Sequence, residues 1–323
     1  MTEVTYNTTI PLEPRGQHAK YLRAVAIVSL VLVAATSIAG LITRQAADLR
    51  LKLFFDRQAD QIANTYYNKL NMQITVLEGL RGLWNVDGRF TPKSFETYLS
   101  SMNLDSLDKS GASSYFYAPL IEESYPITHI YPLAGRESAL GVNFGRESER
   151  VDAIAYARDS NNLATTKNLI LQTTSQPGFF FLLPLYKTDL PIERTPERKT
   201  AFAGVVVAAF RSESAFEQIF GGIDAYPYLD FQVYQGDAIT PDRLLYDHDE
   251  SFTATATSFT ATRVVRLYDQ TWTIEVQGKP SLMLGNSEER LPLIVFASGL
   301  IATAIVVSTA LLAFLKHLRT HQS

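Results

Sequence analysis

Two long apolar runs enclose most of this chain, and they restrict what it can fold into more than any other feature. Ala24–Ile42 (AVAIVSLVLVAATSIAGLI) and Leu291–Leu315 (LPLIVFASGLIATAIVVSTALLAFL) contain no charged residue. As a helix, each is long enough to cross a hydrocarbon layer of about 30 Å, which takes about 20 residues. Between them lie 248 residues, Thr43 to Arg290, of ordinary globular composition. That length can bury one large core or two small ones. The first run is also open to reading as a cleaved signal with Ser37-Ile38-Ala39 as its small-residue site, although its apolar core exceeds the roughly 7–15 residues of a signal. The second run is flanked by Glu288, Glu289 and Arg290 on one side and Lys316 and Arg319 on the other, and reads as a membrane span.

Charge differs between the segments. The chain carries −4 overall; the arm before the first run contributes +1 and the tail after the second +2, which leaves −7 in the middle. An acidic middle argues against nucleic acid as its partner, because phosphate contact needs a basic surface. Basic residues stand on both sides of the first span, Arg15, Lys20 and Arg23 before it and Arg44, Arg50, Lys52 and Arg57 after it, so the count there is not decisive. The basic, acid-free tail favours a cytoplasmic C-terminus, and two spans then place the N-terminus there too. The chain has no cysteine, which excludes thiolate metal sites, catalytic thiols and disulfides.

Past the first span, Arg44 to about Asn85 has no proline and no glycine before Gly79. Phe55, Ile62, Tyr66, Leu70, Ile74, Leu77, Leu80 and Trp84 recur there at helical spacing, predicting a long stalk helix. Two readings of that stripe are open: it packs on its own domain, or its lower half pairs with a second copy. Thr91-Pro92 reads as an N-cap and first helical position. Strands are expected at Ser113–Ile121, Ile127–Leu133 and Asn168–Thr173, with a helix over Ser148–Asp159 between them. Gly178–Lys187 and Ala201–Arg211 are near-continuous apolar strands, the pattern of burial on both faces. Lys187–Thr200 is expected to join them as a protruding loop. Ser212–Phe220 is a short helix stopped by Gly221-Gly222. Leu229–Gly236, Arg243–Asp247, Thr260–Asp269 and Thr271–Gly278 make a second β unit, the last two as a hairpin.

Reactive chemistry is sparse. No glycine-rich phosphate loop, G-x-S-x-G elbow or H-E-x-x-H motif occurs. Three of the five histidines lie in the terminal arms, and His129 and His248 are isolated from each other. Neighbours on an extended segment point to opposite faces. His248-Asp249-Glu250 is therefore read as a solvated loop rather than a metal site. Glu147, Glu149 and Arg150 open a helix, where acids suit the dipole. No metal, cofactor or catalytic residue is nominated, and the chain does not read as an enzyme.

The stretch Tyr131–Arg211 carries a resemblance. YPLAGRESALGVNF (Tyr131–Phe144), the spacing of Arg150 to Ala157-Arg158-Asp159, PLYKTDLP (Pro184–Pro191) and ERKTAFAGVVVAAFR follow one another in order. With FTPKSFETYL (Phe90–Leu99) and YFYAPLI (Tyr115–Ile121), this series between two spans resembles the CHASE domain. That domain is the extracellular sensor of plant cytokinin receptors and of many bacterial sensor kinases and nucleotide cyclases. The resemblance implies an α+β fold: a long stalk helix with two PAS-like subdomains, flanked by two transmembrane helices. The implied order is a cytoplasmic arm (1–23), a first span (24–42), the stalk (43–85), a membrane-distal ligand-binding subdomain (86–220), a membrane-proximal subdomain (221–290), a second span (291–315) and a short cytoplasmic tail (316–323). It also implies an inner-membrane protein whose main domain is extracytoplasmic.

By the same resemblance the ligand is a small molecule, adenine-like in the cytokinin-binding members. Asn143 stands where those members hold adenine with an aspartate; asparagine donates and accepts but carries no charge. Thr166 matches a pocket threonine, Leu171 and Gln172 fall where backbone groups meet the ligand, and Phe180 and Leu182 line the cavity strand. The plainer readings are core for Phe180 and Leu182 and a self-bonded turn residue for Asn143. Pro184 and Tyr186 are taken as structural. Family members continue into an effector, whereas this sequence stops eight residues after the second run. The expected partners are the bilayer, a second copy through the stalk helix, and a separate membrane kinase or cyclase; the alternative is a truncated receptor with no output of its own. The competing class is a membrane-anchored scaffold whose PAS-like folds bind protein. An extracytoplasmic hydrolase would need a carboxylate pair in a cleft, for which the sequence offers no candidate.

Overall fold

The computed structural model describes residues 15–102, 112–171, 176–255, 258–268, 270–279 and 286–320. Two compact units are present, one built from the two apolar helices and one spanning Phe54–Pro280. The expected α+β architecture of a long helix, two sheets and a second apolar helix is what the chain adopts.

Helix α1 runs unbroken over Arg15–Asp87, continuing the first apolar run into the stalk. Helix α6, Asn286–Thr320, is the last element, and both are long and apolar enough to cross a membrane. Within the apolar unit they pack antiparallel. Tyr21 donates to the Ala310 carbonyl at 2.8 Å and stacks on Phe314, while Gly40 meets Phe296. Close approach depends on Gly299, where an added Cβ would stand 2.3 Å from Thr36. Small residues at such crossings replace the hydrophobic drive that lipid removes.

In the larger unit, α2 (Pro92–Ser101) starts at Thr91, whose hydroxyl accepts from the Ser94 N–H at 3.0 Å while Ser94 caps Thr91 in return. Next come β1 (Ala112–Pro119), β2 (His129–Tyr131), α3 (Ser148–Ser160), β3 (Ala164–Thr165), β4 (Leu169–Leu171) and β5 (Gln176–Tyr186). They are followed by α4 (Thr195–Ala201), β6 (Phe202–Arg211) and α5 (Ser212–Phe220), which Gly221 ends in the left-handed conformation. The first sheet is antiparallel in the order β2-β1-β6-β5-β3, with β4 also on β5. The second sheet contains β7 (Leu229–Gln235), β8 (Leu244–Asp247), β9 (Phe259–Leu267) and β10 (Gln270–Gly278), in the order β8-β7-β10-β9. Strands β9 and β10 form the expected hairpin, and alternating burial along β9 marks it as an edge with one wet face.

The stalk stripe is consumed inside this unit. All eight residues from Phe55 to Trp84 are buried. Tyr66 lies among Phe216, Phe220 and Trp272, and burial raises its pKa. The Trp84 indole donates to the Tyr186 carbonyl at 2.6 Å. Earlier on the helix, Asp56 and Asp60 hold Arg263 of β9. A stripe covered in this way follows the own-domain reading, because its apolar area is already removed from water.

Two local expectations fail. Lys187–Thr200 is not a protruding loop: it contains α4, and Leu190 and Ile192 pack against the core. Pro196 fits the first turn, and the Glu197 carboxylate accepts from the Arg194 backbone at 3.0 Å and from its guanidinium, a one-way cap that the two prolines masked. His248 is not solvated either; it is buried and stacks on Phe231 with ring centroids 4.4 Å apart. The ladder places its backbone N–H on the Phe231 carbonyl, which turns the ring inward.

Asp230, on β7, is buried and accepts from the Asp249 N–H at 3.1 Å. Burial first, and then the nearby Asp247 carboxylate, push its pKa up to about 6. The folded state thus holds this proton more tightly than the unfolded chain does, so stability should fall as pH rises through about 6. Thermal melts over that window are expected to show a declining Tm that Asp230→Asn, which keeps the acceptor oxygen, flattens. An identical slope in the variant would contradict the assignment.

Candidate ligand-binding site

Strands β5 and β6 are paired from Gly178↔Arg211 to Tyr186↔Phe202 and buried on both faces, so alternate residues serve different layers. On one face Phe179, Phe181 and Phe210 form a contiguous aromatic cluster, and Phe179 also meets Phe216 of α5. On the other face the register partners Phe180 and Ala209 open into a cavity of about 480 Å³. That volume lies within the usual range for small-molecule sites. Phe116 of β1, Leu171 of β4 and the Val142–Phe144 segment complete much of its apolar wall. Short side chains at Ala139 and Ala209 leave space that the rings do not fill.

The rings form a compact set. Phe144 and Phe180 cross edge to face at 5.0 Å, and Phe116 meets Phe144 at 5.1 Å. Over them lies the Arg150 guanidinium, 5.2 Å from the Phe144 centroid and 5.0 Å from that of Phe180. Arg150 is 6 % exposed and pairs with Glu147 at 3.2 Å, yet among the described residues its Nε–H has no acceptor. Burial lowers its pKa, and Glu147 opposes that shift. Arg136 and Arg211 also line the cavity. Arg136 donates to the Ser113 carbonyl at 2.9 Å, whereas the buried Arg211 Nε–H has no acceptor among the described residues. A second cleft of about 490 Å³, lined by Arg81, Asn85, Asn161 and Lys187 among others, is mainly polar and lies elsewhere on the unit.

Of the residues expected from sequence, Phe180 and Leu171 line the cavity. Asn143 does not, although Val142 and Phe144 on either side of it do. Its Oδ1 accepts from the Tyr125 N–H at 2.9 Å and from the Gly145 N–H at 3.1 Å, the arrangement of a turn residue. Thr166 is buried beside the strand; its hydroxyl accepts from the Phe180 N–H at 3.0 Å and its N–H donates to the Phe180 carbonyl at 3.1 Å. It fixes Phe180 rather than facing the space. Leu182 pairs with Ala164 in the core cluster and is not part of the lining. Gln172 lies outside the described residues.

Tyr186 is structural: its hydroxyl donates to the Arg158 carbonyl at 2.6 Å, while Arg198 donates to that of Asp159 at 2.9 Å, so both brace the end of α3. His129 stands outside the cavity among Phe90, Phe95 and Tyr117. The arginines are what sequence reading missed. Arg150 shares a helical stripe with Ala153, Ile154 and Ala157, and a cation at a stripe position was the available signal.

The larger unit is thus a long helix bearing two antiparallel sheets, with a lined cavity on the larger sheet. Residues 93–246 match the model of the CHASE domain. Among solved structures, the ligand-binding domain of the Pseudomonas fluorescens chemoreceptor CtaA in complex with L-leucine is 12% identical, with a TM-score of 0.50, covering 75% of this chain and 100% of that one. The amino acid chemoreceptor PctC of Pseudomonas aeruginosa, in complex with GABA, is 12% identical, with a TM-score of 0.46, 70% of this chain and 98% of that one being covered. An extracellular ligand binding receptor from Desulfohalobium retbaense is 10% identical, with a TM-score of 0.48, over 70% of this chain and only 40% of that chain. At such identities the likeness concerns the fold alone. No curated protein matches the chain.

Leu171 reaches the cavity because Gly178, its neighbour on β5, has no side chain. A Cβ there would stand 2.3 Å from the Phe210 carbonyl oxygen and 2.6 Å from the Leu171 Cδ1. Gly178→Ala is expected to destabilise by about 1–3 kcal/mol through overpacking, lowering Tm by several degrees. An unchanged melt would show that β4 has room to retreat.

Proposed function

We propose that this protein is a membrane-anchored sensor. Its first sheet, outside the cytoplasm, captures a small molecule, and its two membrane helices pass the resulting change to a separate protein such as a kinase or cyclase. The observation that carries this reading is the cavity of about 480 Å³ on the Phe180–Ala209 face. It is walled by apolar rings with a few converging polar groups, the usual composition of a small-molecule site, whereas a scaffold would keep that face filled. The CHASE domain over residues 93–246 supports the same reading, as do the two apolar helices that bracket it. A homodimer through α1 would use the side left outward by internal packing, where Phe54 is exposed.

A ligand in this cavity stabilises the folded state by mass action, about 2.7 kcal/mol at a hundredfold excess over Kd. For a domain of this size that corresponds to a Tm rise of about 5–10 °C. Screening the full-length protein in detergent against small metabolites by thermal shift is expected to return such compounds. Ala209→Leu, which fills the cavity, is expected to abolish the response. A shift that survives Ala209→Leu would move the site elsewhere, and the absence of any shift would count against the sensor reading.

A further inference from the structure

The proposed sensor leaves its ligand class open, and the cavity's polar groups bear on it. Among the described residues, three arginines and no aspartate or glutamate belong to the lining. Glu147 answers one of them, through a single guanidinium nitrogen of Arg150. Arg136 directs its two terminal nitrogens to the Ser113 and Ala134 carbonyls. Arg211 stands between this cavity and a smaller cleft of about 190 Å³ that Glu213 and Glu217 also line. The cavity therefore holds cationic groups in excess of anionic ones.

Arg150 is the anomaly. A guanidinium offers five N–H donors in a rigid plane. The Phe144 and Phe180 rings lie 5.2 Å and 5.0 Å from its central carbon, and its Nε–H, unpartnered among the described residues, is the donor still open. Burying a cation is unfavourable unless its donors are met, and a planar oxyanion meets two of them at once. A purine is best held by a carboxylate that accepts from its amino group, and among the described residues none lines the cavity.

Resting on the sensor reading, we propose that the ligand is an organic oxyanion, a carboxylate or phosphate on an apolar body. Arg150 grips the anionic group from above the Phe144–Phe180 rings, Arg211 supplies a second cation, and the body lies along Ile127, Val142 and Leu171. The apolar wall selects against inorganic anions, because a bare ion leaves that wall unfilled.

Two matched pairs of probes test this with the full-length protein in detergent, read by thermal shift and calorimetry: phenylacetate against phenylacetamide, and phenyl phosphate against phenol. Inorganic phosphate and adenine complete the set. At least one of the two acids is expected to bind about tenfold or more tightly than its neutral partner. The preferred acid tells carboxylate from phosphate. Arg150→Gln is expected to remove that preference while leaving the ligand-free Tm nearly unchanged or higher, since a buried cation is lost. Arg211→Gln should weaken the acid by about tenfold, and Arg243→Gln, the same change remote from the cavity, should not. A neutral partner binding as well as its acid would overturn the anion assignment, as would full acid affinity in both Arg150→Gln and Arg211→Gln. Adenine binding that Ala209→Leu abolishes would overturn it while leaving the sensor reading intact. No response to any probe would overturn the anion assignment, and the wider metabolite screen would then decide the sensor reading separately.

Discussion

The pairing of β5 with β6 is the constraint from which the rest of the larger unit follows. Their ladder runs from Gly178↔Arg211 to Tyr186↔Phe202, and neither strand has a face left for solvent over most of its length. Period-two alternation then assigns odd-numbered β5 residues from Phe179 to Leu185 to one layer and Phe180 and Leu182 to the other. The first layer must be covered by helices, and α5 contributes Phe216 to that cover. The second must be covered by α3 and the irregular segment after β2. Irregular backbone packs less uniformly than a helix, and the space it leaves beside Ala209 is the cavity.

A cavity beside a tightly packed sheet carries a stability penalty, because its lining atoms lack contacts on one side. The buried guanidinium of Arg150 adds a second penalty, partly offset by Glu147 and by the rings of Phe144 and Phe180. Both unfavourable terms fall at the same place, whereas the remaining first-sheet core is apolar and filled. Such a coincidence is what a site selected for occupancy looks like, since an occupant removes both penalties together.

Much of this was legible in the chain, and the reasons for the exceptions are physical. Charge-free apolar runs and a helical stripe are long-range periodic signals, so α1 and α6 could be read directly. The doubly buried strands showed as unbroken apolar runs. Helix α4 was obscured because Pro191 and Pro196 suggest a loop, while the cap between Arg194 and Glu197 depends on side-chain geometry. Leu171 and Phe180 were placed on the cavity by the family resemblance; strand phase put Leu182 on the same face, but there Ala164 and the core cluster fill the space. Asn143 could not be placed, because a turn residue's orientation depends on which N–H groups the folded chain presents, here those of Tyr125 and Gly145. Arg150 was overlooked since arginine at a helix start is ordinarily a surface residue. Only its phase relative to Ala153, Ile154 and Ala157 set it apart.

The same alternation bears on how an occupant of the cavity would be felt elsewhere. Phe180 faces the cavity, and Phe181, the next residue, lies 5.9 Å from Trp272 of the second sheet, centroid to centroid. Trp272 in turn meets Tyr66 of α1 edge to face at 6.0 Å. A strand cannot shift one residue without carrying the next, and close-packed rings respond by moving between discrete arrangements rather than deforming smoothly. A ligand biases such a set only through a difference in affinity between two arrangements. The group best placed to create that difference is Arg150, which lines the cavity with its guanidinium 5.0 Å from the Phe180 centroid. In the proposed relay, contact with the occupant therefore begins at one guanidinium and reaches the long helix through the Phe180–Phe181 backbone and two aromatic contacts, Phe181–Trp272 and Trp272–Tyr66.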